Sequence, residues 1–207
     1  MMIELRERNG NRTKSNQGGT SMLYHVSHTP GITVLEPRVS SHGKPYVYAI
    51  ENLVTGLLFG VKKDDFDFLL YTDDDGTPVL CECYPDAFQK KYEGQSCSVY
   101  EVKDDGFLRG VTGWSPELVC ESAVPVEKEF SVSDLYARLL AEEQAGNLIV
   151  RRYSEEPAYR AMIAEHIVDR LIRFDLLEHF DTRDERGTLY FRRLIDGLKS
   201  VLDGHLL

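Results

Sequence analysis

The sequence predicts an α+β fold with a strand-rich N-terminal body and helices at the C-terminal end. Segments rich in aromatic and β-branched residues, separated by Gly, Pro and Asp, run from residue 22 to about residue 130. Beyond residue 131 the apolar residues recur at three- and four-residue spacing, which is typical of amphipathic helices. Strands followed by helices favour segregation of the helices to one end of the fold.

Three regions follow from this change of pattern. Residues 1–21 are rich in Asn, Arg, Gly and Ser and lack apolar periodicity, so they are predicted to form a disordered leader. Residues 22–130 are predicted to form the β-rich body, and residues 131–207 a C-terminal helical region. A chain of 207 residues is long enough for one large domain or for a domain with a helical appendage.

Strands in the body are predicted from short runs of Val, Ile, Tyr and Phe. A hairpin is predicted from the strands over residues 66–72 and 79–84, with its turn at Asp73-Asp74-Asp75-Gly76, where Gly supplies a positive φ. The predicted strands cover residues 23–27, 46–50, 66–72, 79–84, 96–102 and 117–126, and residues 32–37 are predicted to be short and extended. Short helices are predicted over residues 51–59 and 85–92.

The C-terminal region is predicted to form a bundle of about three helices. Ser131 and Asp134 have the spacing of a capping box, so a helix is predicted from there to about Ala145. A second helix is predicted from one apolar stripe, formed by Tyr159, Met162, Ile163, His166, Ile167, Leu171 and Phe174. A final helix would bury Tyr190, Leu194, Ile195, Leu198, Val201 and Leu202.

Composition limits the classes of function. The net charge of −10 disfavours broad binding to a phosphate backbone, so nucleic acid is an unlikely partner and a small-molecule nucleotide or a protein is favoured. No run approaches 18 apolar residues, so no membrane span is expected. Four cysteines do not form a disulfide framework, and the expected location is cytoplasmic.

Polar and aromatic side chains on the first two strong strands are the best candidates for a site. Strand alternation places His25 and Ser27 on one face of the first strand, where they could point together into a cleft. Tyr46 and Tyr48 likewise share a face of the strand over residues 46–50. Each of these side chains could also be a structural core residue, so their order along the chain carries the argument.

That order resembles the ADP-ribosyltransferase superfamily, in particular its rifampin ADP-ribosyltransferase and RNA 2′-phosphotransferase branch. Tyr24-His25-Val26-Ser27 stands for the first-strand motif of the family, and Val47-Tyr48-Ala49-Ile50 for the second. A helix follows the second strand, and an acidic residue heads a late strand. The resemblance covers about residues 22–126 and implies a split β-sheet body, although Val26 replaces the usual Gly after the histidine.

The resemblance implies NAD as the ligand and assigns roles to individual residues. His25, Ser27, Tyr46 and Tyr48 would bind NAD, with His25 on a ribose and Tyr48 stacked on the nicotinamide. Glu117 would be catalytic, although Glu121 is an alternative for the same role. A carboxylate on a ribose hydroxyl would stabilise the positive charge that develops when the nicotinamide–ribose bond breaks.

A phosphate contact and an alternative function remain open, whereas a metal site is not expected. Arg38 is a possible phosphate contact, since no arginine lies next to His25 in the sequence. A non-enzymatic interaction or regulatory module is the alternative function, with residues 131–207 docking a protein and the nucleotide cleft vestigial. No metal is expected, because Cys81 and Cys83, taken with His25 and His28, fit no strong zinc spacing.

Overall fold

The computed structural model describes residues 21–39, 43–61 and 67–173 and has a mixed α+β fold. The strands are β1 (Met22–Ser27), β2 (Val34–Leu35), β3 (Arg38–Val39), β4 (Pro45–Ile50), β5 (Phe68–Thr72), β6 (Pro78–Glu82), β7 (Cys97–Lys103), β8 (Leu108–Arg109), β9 (Glu117–Cys120), β10 (Val124–Pro125), β11 (Lys128–Val132) and β12 (Ile149–Arg151). The helices are α1 (Leu53–Leu57), α2 (Ala87–Tyr92), α3 (Leu135–Gln144) and α4 (Pro157–Arg173). The α+β class predicted from the sequence is confirmed.

The main sheet has seven strands in the order β11-β7-β1-β4-β9-β8, with β3 beside β4. Its neighbouring strands are antiparallel. A smaller sheet has the order β12-β6-β5, in which β12 runs parallel to β6. A two-stranded ribbon joins β2 to β10. The predicted hairpin of β5 and β6 is confirmed, and Asp73 Oδ1 closes its turn by accepting from the Thr77 N–H at 2.8 Å.

Two apolar clusters cover the two faces of the main sheet. One face packs against α1, α2, α3 and the smaller sheet, around Leu57, Val99 and Leu135. The other face packs against the β2–β10 ribbon, where Leu35 and Val124 cover strands β1, β4 and β9. The sheet is therefore buried on both sides, and burial of this apolar surface is the main source of stability.

A third cluster lies between α4 and the outer face of the smaller sheet. Strand alternation turns Val79 and Cys81 toward α4 and turns Leu80 and Glu82 toward the main core. The predicted stripe is confirmed for four residues that pack in this third cluster, Tyr159, Met162, Ile163 and Ile167. Phe174, the last residue of the predicted stripe, and the predicted final helix lie outside the described residues.

Two sequence predictions in the late part of the body are wrong. The single strand predicted over residues 117–126 is divided into β9, in the main sheet, and β10, which pairs with β2. Ser131 does not cap a helix, because it lies in β11 and pairs with Ser98. The residue that caps α3 is Asp134, whose side chain accepts from the Ala137 N–H at 2.9 Å. Local sequence cues missed β11 because its backbone pairs with β7, which is distant in sequence.

Residues beyond 131 contribute to the core of the body. Leu135 and Leu139 of α3 are fully buried in the cluster formed with α1 and α2. Strand β12, which the sequence left unassigned, completes the smaller sheet beside β6. None of the helices within the described ranges has the length and hydropathy needed to cross a bilayer.

Tight packing between α1 and α3 leads to a test of the core at Gly60. A Cβ atom added there would lie 2.8 Å from Leu135 Cδ2 and 3.0 Å from Cys97 Sγ. We expect Gly60→Ala to destabilise the protein by about 1–3 kcal/mol, since overpacking forces neighbours out of place. Urea unfolding measures this change.

The matched control is Gly56→Ala, within α1. There the added Cβ would meet Val26 Cγ2 at 3.4 Å, an ordinary contact. Because Ala has the better helix propensity by about 1 kcal/mol, this variant should be neutral or stabilised. Equal unfolding midpoints for the two variants would contradict the close packing at Gly60.

Candidate functional site

Strands β1 and β4 are neighbours in the main sheet but pair over a short length. Within the described residues, Tyr24 and Ile50 are the only registered pair between these two strands, which then diverge. A cleft of about 470 Å³ opens beside the divergence, lined by the end of β1, the β2–β3 segment, β4 and the residues after α1. Four residues predicted to bind a nucleotide line this cleft, namely His25, Ser27, Tyr46 and Tyr48.

His25 joins the two strands where their backbones have separated. The Nδ1–H group of its ring donates a hydrogen bond to the backbone oxygen of Tyr48, at 2.8 Å. A carbonyl oxygen can only accept, so Nδ1 carries the proton and Nε2 of the neutral ring is an acceptor. Burial lowers the pKa of His25, the hydrogen bond to Tyr48 opposes this, and the charge of Arg38 lowers it further. His25 is therefore neutral at pH 7, with its tautomer fixed by the fold.

The two tyrosines of β4 form an edge-to-face pair. Their ring centroids are 6.0 Å apart and the ring planes are inclined at 86°. Tyr46 is buried and Tyr48 is half-buried. An edge-to-face contact of this kind is favourable and holds a ring in one orientation. Tyr48 is therefore the more accessible of the two aromatic surfaces in the cleft.

Ser27 ends β1 and begins the turn that follows. Its Oγ accepts a hydrogen bond from the Thr29 N–H at 3.1 Å. Hydroxyl groups at the start of a turn commonly bond to the backbone in this way. The serine hydroxyl therefore has a local structural contact in addition to its position on the cleft.

Arg38 and Glu36 bring opposite charges to the mouth of the cleft. Both side chains are exposed and line it, and Arg38 lies opposite Tyr46 in the pairing of β3 with β4. The sequence suggested Arg38 only as a possible phosphate contact, and the register of β3 explains its position. The sequence did not predict that Glu36, His28 and Phe59 line the cleft, because strand alternation does not reveal which loops border it.

Glu117 lies close to the point where β1 and β4 diverge but does not line the cleft. It is the first residue of β9, opposite Ile50, and its N–H donates to the Trp114 carbonyl oxygen at 3.1 Å. Because Tyr48 is opposite Val119, Glu117 is a diagonal neighbour of Tyr48 on the same face of the sheet. Diagonal neighbours are roughly 7–8 Å apart, within reach of long side chains.

Glu121, the alternative acid, lies elsewhere. It follows β9 and lines a separate cavity of about 570 Å³, together with Cys120 and Lys103. The strand that pairs with β4 therefore carries Glu117 at its beginning and leaves Glu121 beyond its end.

The pair Cys81 and Cys83 lies in a different part of the fold from the pair His25 and His28. Cys81 and Cys83 are buried against Ile163 of α4, whereas His25 and His28 line the cleft. Burial raises the pKa of the Cys81 thiol, partly opposed by the charge of Arg151 and a hydrogen bond with Tyr71. Across the part of the chain that the structure describes, no group of three or more His, Cys, Asp or Glu side chains is placed to hold a metal ion.

Phe59 connects the cleft to the segment that precedes Glu117. Its ring lies 5.4 Å from the ring of Trp114, measured between centroids. The cleft wall is thus in contact with Trp114, whose backbone oxygen accepts from the Glu117 N–H.

Comparison with known proteins gives no match to any family model, curated protein or solved structure.

Proposed function

We propose that the protein binds NAD in the cleft between β1 and β4 and transfers ADP-ribose to an acceptor. The observation that carries this proposal is the hydrogen bond from His25 Nδ1–H to the Tyr48 backbone oxygen, which leaves Nε2 of a cleft-lining histidine as an acceptor. The order of His, Tyr and Glu on the neighbouring strands β1, β4 and β9 supports it, since the family that the sequence resembles has the same order of residues.

The cleft offers chemistry suited to each part of a nicotinamide dinucleotide. Nε2 of His25 would accept a hydrogen bond from a ribose hydroxyl. The ring of Tyr48 would stack on the nicotinamide, whose positive charge is attracted to an aromatic face. Arg38 would bind the diphosphate, because a guanidinium forms paired hydrogen bonds with phosphate oxygens.

The size of the cleft supports a small-molecule ligand. A volume of about 470 Å³ falls within the usual range for such sites, about 300–1,000 Å³. A vestigial cleft would be filled by side chains. The open volume therefore favours nucleotide binding over the interaction module with a vestigial cleft. In the described part of the chain, α3 is packed in the core and α4 covers the smaller sheet, so their buried faces are already occupied.

The proposed reaction breaks the bond between the ribose C1′ and the nicotinamide nitrogen. The electron pair of that bond leaves with nicotinamide, and an acceptor nucleophile forms the new bond to C1′ and loses its proton. Glu117 would stabilise the positive charge on the ribose through a hydroxyl group. Its place on β9 next to β4 supports this role, and movement of its side chain toward the cleft is part of the proposal.

Calorimetric and thermal-shift titration with NAD tests the binding step. We expect saturable binding to the wild type, with stabilisation of about 2.7 kcal/mol when NAD is present at 100 times its Kd. His25→Ala should weaken binding at least about tenfold, since it removes the acceptor nitrogen and the hydrogen bond from His25 to the Tyr48 backbone oxygen.

Two controls make the titration specific. Titration with ATP separates NAD recognition from general affinity for adenine and phosphate. The melting temperature of ligand-free His25→Ala shows whether the variant remains folded. Absence of any wild-type response at millimolar NAD would refute the NAD site and favour the interaction module, as would equal affinity in wild type and variant.

A further inference from the structure

The turn after β1 forms one wall of the cleft and is held by a carboxylate from β11. His28 and Ile32 of this wall line the cleft. Between them, the Gly31 N–H donates to both carboxylate oxygens of Glu129, each at 3.1 Å. Glu129 is distant in sequence, so this contact fixes the turn against the sheet.

Tyr100 of β7 connects that turn to the carboxylate. Its hydroxyl donates to the Thr29 carbonyl oxygen at 2.5 Å and accepts from the Ile32 N–H at 3.3 Å. The same hydroxyl lies 3.2 Å from Glu129 Oε1. Since Tyr100 itself is fully buried, loss of these contacts would leave its hydroxyl with fewer hydrogen-bond partners, which is destabilising.

The same three strands connect Glu129 to His25. Tyr100 lies opposite His25 in the pairing of β1 with β7, and opposite Glu129 in the pairing of β7 with β11. Residues paired in this way share a face of the sheet, and the rings of His25 and Tyr100 are 6.2 Å apart between centroids. Glu129, Tyr100 and His25 therefore form a row across β11, β7 and β1, from the edge of the sheet to the cleft.

The carboxylate of Glu129 has no ion-pair partner among the described residues. Hydrogen bonds from Ser98 and from the Gly31 N–H hold the pKa of Glu129 below its usual range, burial partly opposes them, and the contact with Tyr100 adds a smaller lowering effect. Its interactions are therefore directed at the turn and at Tyr100, and not at a neighbouring cation.

We propose that Glu129 and Tyr100 act as one positioning unit for the cleft, which fixes the wall at residues 28–32 and the orientation of the His25 ring. Neither residue touches the ligand in this proposal. This inference rests on the proposed function only where NAD affinity is measured. The conformational stability of the wall at residues 28–32 can be measured without a ligand.

Three variants test the unit in the full chain: Glu129→Gln, Tyr100→Phe and the double variant. We expect each single variant to weaken NAD binding about tenfold, since each removes hydrogen bonds that order the wall. The double variant should weaken binding no more than the stronger single variant, because residues of one network are not additive. Glu127→Gln is the matched control, since Glu127 pairs with Lys103 at 2.8 Å and lines the other cavity.

Two measurements without ligand separate this inference from the NAD proposal. Hydrogen exchange should accelerate at the Gly31 and Ile32 amides in Glu129→Gln, but not in Glu127→Gln. NMR signals of the His25 ring should shift or broaden in Glu129→Gln and Tyr100→Phe, because the Tyr100 ring beside it is held less firmly. If both observables are unchanged in Glu129→Gln and Tyr100→Phe, the positioning unit is refuted, whatever the result with NAD. If they change while the wild type fails to bind NAD, the unit stands and the NAD proposal fails.

Discussion

Glu82→Gln is expected to destabilise the protein by roughly 2–4 kcal/mol, because a buried and a half-buried backbone N–H group both depend on this buried carboxylate. Glu82 is 2% exposed and lies on the core face of β6. Its Oε1 accepts from the Phe88 N–H at 2.8 Å, and its Oε2 accepts from the Tyr153 N–H at 2.9 Å. A glutamine keeps one acceptor but turns an amide donor toward the other N–H group.

The position of Glu82 explains why the cost should be large. Asp86, at the N-cap of α2, has a φ of 59° and makes no capping hydrogen bond through its side chain. Glu82 supplies an acceptor to the first turn of that helix and simultaneously holds the segment that follows β12. Loss of the carboxylate therefore loosens α2 and the smaller sheet together.

Urea unfolding of Glu82→Gln and of Glu127→Gln measures the effect against a matched substitution. Glu127 is exposed, so its change should stay within about 0.5 kcal/mol. The midpoint for Glu82→Gln should fall with little change in the slope. A difference between the two variants below about 0.5 kcal/mol would show that solvent or another donor–acceptor arrangement replaces the buried carboxylate.

Local sequence patterns predicted the parts of the fold that local chemistry determines. Strands β1, β4 and β7 were predicted from their aromatic and β-branched residues, and the β5–β6 hairpin from its Asp-Gly turn. Strand β12 was missed because only pairing with β6, about 70 residues earlier, makes those three residues a strand. Pairing distant in sequence is also what made Ser131 part of a strand and left Asp134 to cap α3.

The candidate site shows the same division between local and distant determinants. Alternation correctly separated His25 from Tyr24, but the pairing of Tyr24 with Ile50 places Tyr48 on the face opposite His25. His25 reaches Tyr48 through the backbone oxygen, at a point where the strands have separated. No pattern in either strand predicts that divergence. The pairing of β3 with β4 places Arg38 at the cleft, and this register is likewise set by contacts outside its own segment.

Glu117→Gln is expected to lower nicotinamide release from NAD by about 10²–10³-fold, while the Kd for NAD changes by less than about threefold. The amide keeps the shape and hydrogen-bonding reach of the side chain but removes the charge that would stabilise the ribose cation. A change confined to the rate is the signature of an interaction that strengthens in the transition state.

Glu121→Gln is the matched control, because it lies beyond β9 and faces the other cavity. We expect it to retain wild-type release, and single-turnover measurement of nicotinamide separates the chemical step from binding. Loss of activity in Glu121→Gln with retention in Glu117→Gln would assign catalysis to the second acid and require the end of β9 to approach the cleft. NAD binding without release by the wild type would instead mean that the cleft only binds the nucleotide. The position of Glu117, one strand from Tyr48 but outside the cleft lining, makes this the measurement that separates a transferase from a nucleotide-binding module.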